Sequence, residues 1–243
     1  KTRLPKFPLR SLARYGVDDR TLIVGQVRAS NPVKPVLTVL DANTFEMISS
    51  SPGSYAGDSR MMLSPDRTRV LLEVVAGHYR MRSVVDDTWV GEEISPVGPI
   101  HSADFSPRGD LLATATGEGQ VEFWNALTGE PTGIRFHQPQ PTDQGDIPNF
   151  AIAFDQTGTR LFSTGWDKLL RCTDVATGEI TEAPTPTPNA VGTLIEVSPD
   201  RRSMAITSLN KLTEIRRIDA GFPVLSTVPV SYTHLTLPTN REV

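Results

Sequence analysis

Short apolar runs, many of them alternating with polar residues and rich in β-branched side chains, recur along the chain. Segments of this kind predict strands that are buried on one face or on both. The clearest predicted strands are at residues 21–27, 36–40, 69–75, 111–116, 121–124 and 161–164. Turn residues such as Ser64-Pro65-Asp66 and Pro107-Arg108-Gly109 separate them. With 20 Pro and 18 Gly in 243 residues, the pattern favours many short elements joined by turns and predicts an all-β fold.

An apolar residue that leads into a turn recurs about every 45 residues, a period typical of repeat architectures. Its five copies are Tyr15, Leu63, Phe105, Phe154 and Val197. A second landmark, an Asp or Asn that follows an apolar strand residue, has nearly the same period. The preceding residue is apolar in every copy but one, where it is Thr173. The copies of this landmark are Asp41, Asp86, Asn125, Asp174 and Asp219. Each repeat has room for about four strands, and a four-stranded antiparallel unit repeated radially is a β-propeller blade.

Two of the repeats resemble a known family. Residues 105–130 open on Phe-Ser-Pro-Arg-Gly-Asp and close on Phe-Trp-Asn-Ala-Leu-Thr-Gly-Glu. Residues 154–179 open on Phe-Asp-Gln-Thr-Gly-Thr and close on Cys-Thr-Asp-Val-Ala-Thr-Gly-Glu. Both resemble blades of the WD-repeat (WD40) β-propeller family of the bacterial kind, and weaker matches extend the resemblance over residues 8–228. The chain departs from the family where Ser95-Pro96 replaces a Gly-His pair and Thr173 replaces the usual Trp, so no repeat carries an intact His-Ser-Asp-Trp tetrad.

The resemblance implies a propeller with five visible blades that belongs to a seven-bladed one, with a closed ring of five as the alternative. We expect an N-terminal arm at residues 1–7, a propeller at 8–229 and a tail at 230–243. The predicted blades are 8–51, 52–95, 96–139, 140–185 and 186–229. Residues 230–239 resemble a translated transposase adapter used to prepare sequencing libraries. We therefore expect a non-native tail on a fragment of a larger bacterial protein; the alternative is an ordinary natural tail.

The charge balance bears on the class of partner. The chain has 24 basic and 28 acidic residues and a net charge of −4, which argues against a nucleic-acid partner. No apolar run approaches the length of a membrane span or forms a signal core. The single cysteine, Cys172, is typical of a reducing compartment. These features predict a cytoplasmic protein without a nucleic-acid or membrane partner.

The sequence carries few signs of catalysis. Its four histidines are scattered singly, and no Cys-x-x-Cys pair or His-Glu-x-x-His pair is present. No phosphate-binding loop, dinucleotide fingerprint or nucleophile elbow occurs either. We expect no catalytic residue, cofactor or metal, and hence a protein that is not an enzyme. The five Asp and Asn landmarks are expected to form turns rather than a ring of ligands, and Glu92 and Glu93 are expected to be solvated.

Trp166 is predicted to lie in an exposed turn between the second and third strands of its blade. An exposed tryptophan is a good anchor for a partner, although packing on the neighbouring blade is an equal alternative. Equivalent turn positions in other repeats include His78 and Lys211, and positions that lead into first strands include His101 and Phe150. In WD-repeat proteins such positions line the face that docks peptides or proteins. The resulting candidate surface comprises Trp166, His101, Phe150, Ser59, Thr193, His78 and Lys211.

Two functions follow from these observations. The first is a non-catalytic scaffold that binds a protein or peptide, within a larger bacterial protein. The alternative is the propeller component of an enzyme, which binds a ligand in its central channel or gates access to a hydrolase; a lectin-like role is a third. The sequence leaves the oligomeric state and the partner's identity open.

Overall fold

The computed structural model describes thirteen parts of the chain. They are residues 11–15, 20–28, 34–52, 54–55, 62–75, 77–138, 151–165, 167–187, 192–198, 200, 202–208, 212–218 and 221–229. At 11–15, 22–28, 34–37, 50–52, 54–55 and 192–193 it describes the backbone alone. Within these parts the regular elements are twenty-one β-strands, without a helix. The predicted arm at 1–7 and tail at 230–243 lie outside them.

The strands form five antiparallel sheets, which we call blades 1 to 5 in chain order. Blade 1 contains β1 (Ser11–Tyr15), β2 (Thr21–Arg28), β3 (Lys34–Asp41) and β4 (Met47–Pro52). Blade 2 contains β5 (Ser54–Tyr55), β6 (Met62–Leu63), β7 (Arg69–Val75), β8 (His78–Ser83) and β9 (Trp89–Ile94). Blade 3 contains β10 (Ile100–Phe105), β11 (Leu111–Thr116), β12 (Gln120–Asn125) and β13 (Pro131–His137). Blade 4 contains β14 (Ala151–Phe154), β15 (Arg160–Thr164), β16 (Leu169–Asp174) and β17 (Thr185–Pro186). Blade 5 contains β18 (Gly192–Val197), β19 (Ser203–Ser208), β20 (Leu212–Arg217) and β21 (Val224–Pro229).

In blades 2 to 5 the first strand is the inner one. Consecutive first strands contact each other, as β10 contacts β14 and β14 contacts β18, while the fourth strands lie at the outer edges. In blade 2 the inner strand has two parts, because β5 and β6 pair with successive stretches of β7 and residues 56–61 interrupt them. The predicted all-β fold with four-stranded antiparallel blades is confirmed.

The core lies between blades, and in blade 3 both faces of the sheet are apolar. On β11, Leu112 packs with Trp124 toward blade 2, whereas Ala113 packs with Phe123 toward blade 4. Blades 4 and 5 enclose another cluster around Phe162. Alternating side chains on a strand point to opposite faces, so short apolar runs without polar gaps are what a sheet stacked on both sides requires.

The Asp and Asn landmarks shape the turns between third and fourth strands. Oδ1 of Asp41 accepts the backbone N–H groups of Asn43 and Thr44, both at 2.8 Å. Asn125 and Asp174 accept two backbone N–H groups in the same way. Their predicted role as turn formers is therefore confirmed. Asp86 also accepts hydrogen bonds from its own turn, whereas Asp219 lies outside the described residues.

A buried serine closes the turn between first and second strands. Oγ of Ser106 accepts the Leu111 N–H at 3.0 Å and donates to Asp110 at 2.6 Å. Ser64 and Ser198 make the equivalent bonds in blades 2 and 5. In blade 4, Asp155 replaces the serine and accepts backbone N–H groups directly. This local network explains why the Ser-Pro landmark recurs.

Hydrogen bonds between side chains and backbone groups hold neighbouring blades together. In blades 3 and 4, the side chains of Ser102 and Asp104 accept the N–H groups of Ile152 and Phe154 at 3.2 and 2.8 Å. Between blades 2 and 3, buried Arg69 donates to two carbonyl groups, at 2.7 and 2.9 Å. These contacts fix the relative positions of the blades and hence of the loops that they carry.

Candidate functional site

The two ends of the propeller are built from different connections. Because successive strands run in opposite directions, the turn between second and third strands lies at the same end as the connection to the next blade. We call this end the loop face, and we call the opposite end, which carries the other turns, the turn face. The candidate partner-binding residues are predicted to lie at this loop face.

The structure describes part of that candidate set. The side chain of His78 is exposed at the start of β8, and that of His101 is half-buried in β10. Thr193 lies in β18 and is described by its backbone alone. Ser59, Phe150, Trp166 and Lys211 lie outside the described residues. That all seven residues form one partner surface stays a prediction.

His78 joins two loops of the loop face. Its Nδ1 lies 2.5 Å from Glu93 Oε1 and 3.1 Å from Ser95 Oγ. The Ser95 hydroxyl also donates to Glu93 Oε1 at 3.2 Å. The cluster therefore ties the start of β8 to the end of β9 and the connection that leads into blade 3.

This cluster does not have the geometry of a Ser-His-acid triad. In such a triad the acid and the hydroxyl bind opposite ring nitrogens, so that one nitrogen takes the serine proton while the acid holds the other. Here Glu93 and Ser95 both approach Nδ1 of His78. The arrangement is a polar contact between loops rather than a nucleophile with its base.

The electrostatics of the cluster keep its acid ionised. The pKa of Glu93 lies below its usual value, chiefly because of the hydrogen bond with His78. The hydrogen bond from Ser95 also lowers this pKa, whereas burial raises it. About half of the Glu93 side chain is exposed. Glu93 was expected to be solvated, and the structure adds its bond to His78, which joins residues far apart in the sequence.

Two exposed valines lie next to the cluster. Val75, the register partner of His78, is 66% exposed, and Val97, two residues after Ser95, is 55% exposed. Glu118 lies in the turn between β11 and β12 of blade 3. Its Oε1 would be 3.7 Å from a Cβ at Gly98. The carbonyl oxygen of Glu118 accepts a hydrogen bond from His137 at 3.0 Å. These contacts define what we call the rim patch. It consists of Val75, His78, Glu93, Ser95, Val97 and Glu118.

A buried polar group lies next to the rim patch. The side chain of Thr116 is fully buried at the end of β11, and a Cβ at Gly98 would lie 3.8 Å from its Cβ. Within the described ranges, the Thr116 hydroxyl has no hydrogen-bond partner. The carboxamide of Gln138 is also buried without a partner there, but alternation places it with Phe136 on the blade 4 side. Such groups are uncommon in protein interiors.

Other candidate chemistry is accounted for structurally. Burial raises the pKa of Cys172, which packs between blades 4 and 5 and so is not a reactive thiol. Among the residues that the structure describes, no three His, Cys, Asp or Glu side chains are arranged to hold a metal ion. No helix in those parts is long and apolar enough to cross a membrane.

One pair of the family tetrad is present in blade 3. Trp124 Nε1 donates to Thr114 Oγ1 at 2.9 Å, and both side chains are buried. Sequence reasoning found no intact tetrad and did not identify this pair. Trp124 pairs with Leu112 in the strand register, and Thr114 lies two residues along the same strand, so Trp124 and Thr114 are on the same face of the sheet. The strand register is not apparent from sequence spacing alone.

Comparison with known proteins bears on the family and the fold. Residues 94–125 match the model of the family described as WD domain, G-beta repeat. The serine-threonine kinase receptor-associated proteins of Bos taurus and Homo sapiens are 31% and 30% identical to the chain over 88 residues. That match covers 35% of this chain and 25% of each relative, so the chain spans a quarter of the length of these relatives.

A solved structure extends the fold comparison to most of the chain. The β-propeller domain of Myceliophteria thermophila Cps50 (Swd1) is similar with a TM-score of 0.68 at 15% identity. The match covers 88% of this chain and 70% of that domain. At this identity the likeness concerns the fold alone. The predicted WD40 repeat and the β-propeller fold are thus both confirmed.

Proposed function

We propose that this WD40-repeat β-propeller is a non-catalytic scaffold whose loop face binds a protein or peptide partner. The observation that carries the proposal is the rim patch, where exposed valines and hydrogen-bonding side chains lie together on loops held by packed blades. Exposed apolar side chains surrounded by polar ones are typical of protein interaction sites. The patch needs no catalytic group for this role.

The relatives support an association role. WD40 repeats generally mediate contacts between proteins, and the curated relatives are named for their association with a receptor kinase. We infer that the partner of this chain is also a protein or peptide rather than a nucleic acid or a membrane. The net charge of −4 agrees with that choice.

The wider setting is proposed on sequence grounds. We propose that the chain is part of a larger, cytoplasmic bacterial protein in which the propeller has seven blades. Its N-terminal arm, its predicted blade bounds and the non-native character of residues 230–243 belong to the same proposal. The alternative is the propeller component of an enzyme, which binds a ligand in its central channel or gates a hydrolase; the His78 cluster itself lacks triad geometry.

The proposal is tested by selecting peptides from a random displayed library on the folded protein. Selected peptides are then measured against Val97→Ser on the loop face, Trp166→Ala at a position predicted for the same face, and one turn-face control, Leu127→Ser. Leu127 is 56% exposed, close to the 55% of Val97, so the last two changes are matched. We expect the loop-face changes to weaken binding by about tenfold, as truncation of an interface anchor does, and the control to have no effect. Selection of peptides that depend only on Leu127 would place the binding surface at the other end.

A further inference from the structure

We propose that the segment that docks on the rim patch carries a Lys or Arg side chain next to an apolar one. This inference rests on the proposed function and adds the chemistry of the partner. It is argued from the charges, the exposed apolar side chains and a buried polar group of blades 2 and 3.

The rim patch presents negative charge to solvent. Glu93 and Glu118 are exposed carboxylates on two adjacent loops, and the hydrogen bond with His78 favours the ionised form of Glu93. The patch itself contains no Lys or Arg. A cationic side chain that approaches both loops would therefore meet two carboxylates, with His78 as the only basic side chain among the patch residues.

The nearest arginine is directed elsewhere. Arg80 donates from Nη2 to the Gly91 carbonyl at 3.1 Å, and its guanidinium lies 5.1 Å from the centre of the Trp89 ring. It has no ion pair with a carboxylate among the described residues, yet its charge is close enough to help lower the pKa of Glu93. Arg80 therefore reduces the negative potential only partly and leaves the carboxylate of Glu93 open to a second cation.

The apolar requirement comes from the two valines. Val75 pairs with His78 in the register of β7 and β8, Val97 lies two residues after Ser95, and more than half of each side chain is exposed. A single exposed valine is unremarkable on a protein surface. Two of them on loops joined by a hydrogen-bonded cluster give a docking segment apolar contacts beside its charge.

A buried polar group favours an occupant with its own hydrogen-bonding capacity. The side chain of Thr116 is fully buried, and its hydroxyl lacks a partner within the described ranges. Thr116 lies under the Gly98 loop beside Glu118. An unpaired buried hydroxyl costs free energy, and an extended peptide that displaces the Gly98 loop slightly would offer it main-chain donors and acceptors. A purely apolar ligand would leave it unpaired.

The test uses fluorescence anisotropy with two labelled peptides of equal length. One consists of repeated Arg-Val-Gly units, and the other of Glu-Val-Gly units. The double variant Glu93→Gln/Glu118→Gln is compared with Glu130→Gln/Glu179→Gln, which removes the same charge from exposed carboxylates of the turn face. Circular dichroism melts verify that both variants are folded.

We expect the Arg peptide to bind the unchanged protein and the Glu peptide not to bind. Exposed ion pairs contribute little singly, so the loss in the Glu93/Glu118 variant should be about tenfold for the pair, against less than about twofold in the turn-face control. Equal losses in both variants would indicate non-specific attraction and overturn the inference. Absence of Arg-peptide binding, or equal binding of the Glu peptide, would also overturn it.

The outcome is separable from that of the proposed function. If displayed peptides bind the loop face and depend on Val97, yet carry no basic residue and are indifferent to the Glu93/Glu118 change, the inference about charge is wrong and the scaffold function stands. If no peptide binds the loop face, both fail. A further variant, Val75→Ser/Val97→Ser, should weaken the Arg peptide without changing the salt dependence of binding, because it removes apolar contact and leaves the charge.

Discussion

The turn face and the loop face of this propeller contain the same kinds of residue in different roles. On the turn face, Asp41 and Ser106 are bonded to backbone N–H groups of their own turns. On the loop face, Glu93 bonds a side chain from another strand, Val97 is exposed and Thr116 has no partner among the described residues. An acid or a serine in a repeat must therefore be judged by what it bonds, since Asp41 and Ser106 bond their own turns whereas Glu93 bonds a side chain fifteen residues away.

The largest effect is expected where turn-face backbone is closely packed. Gly129 has φ +77, and a Cβ there would overlap the backbone of Glu92 in the neighbouring blade. Gly133 has φ +83 but open space around it. Gly129→Ala should lower the free energy of unfolding by about 3 kcal/mol or more, against about 1 kcal/mol for Gly133→Ala, where only the backbone conformation is strained. Urea denaturation of both variants measures the difference, and equal losses would mean that the contact between blades adds nothing.

A pair of serines tests the comparison directly. Ser106 is buried and bonded on the turn face, whereas Ser95 is exposed on the loop face. Ser106→Ala leaves the Leu111 N–H without its side-chain acceptor and should cost about 1–2 kcal/mol of folding free energy. Ser95→Ala should change it by less than about 0.5 kcal/mol. The same denaturation experiment decides, and a larger loss for Ser95 would reverse the assignment of the two faces.

Acid should weaken the hydrogen-bond networks of the turn face, as it should the bond of Glu93 to His78 on the loop face. The Ser106 hydroxyl beside Asp110 and the Ser198 hydroxyl beside Asp200 hold the pKa of each carboxyl below its usual value, as the Thr44 and Asn43 backbone groups do for Asp41. A lowered pKa in the folded state stabilises the fold at any pH above the unfolded value of about 4, and this contribution is lost as the pH falls through the folded pKa. Stability should therefore be level near neutral pH and decline below about pH 4.

A single substitution checks the source of that decline. Asp110→Asn removes the titrating group while keeping an acceptor for Ser106, so it should make the decline in unfolding free energy at low pH shallower. Chemical denaturation at a series of pH values provides the measurement. An unchanged slope would mean that Asp110 takes no part in it.

The smallest effect on stability is expected at Trp166. If its indole projects from the loop face, Trp166→Ala should leave the melting temperature nearly unchanged while it weakens peptide binding. If the ring instead packs on the neighbouring blade, the melting temperature should fall by several degrees, as loss of a buried aromatic requires. A calorimetric melt distinguishes the two cases.

Local structure was largely predictable from sequence, and contacts between distant residues were not. The strands expected at 69–75 and 111–116 have the observed bounds, because alternation and turn residues are local signals. The landmark that contains Ser106 recurs because its network closes within five residues. In contrast, the two-part inner strand of blade 2 depends on pairing with β7.

The rim patch could not be assembled from sequence for the same reason. His78 was singled out by its turn position, but Glu93 is fifteen residues away and Glu118 belongs to another blade. The contact of His78 with Glu93 follows from strand register and the position of Glu118 beside Gly98 from blade stacking, and neither has a local signature. Exposure of Val75 and Val97 likewise depends on which residues the neighbouring loops leave uncovered.

The central claim, that the loop face is the binding face, is tested most directly by hydrogen–deuterium exchange with and without a selected peptide. The account predicts slower exchange of backbone amides at residues 77–78, 93–98 and 117–119 on the loop face. Amides at 41–45, 106–110 and 125–130 on the turn face should exchange at unchanged rates. Protection confined to the turn face, or spread evenly over both faces, would contradict the account.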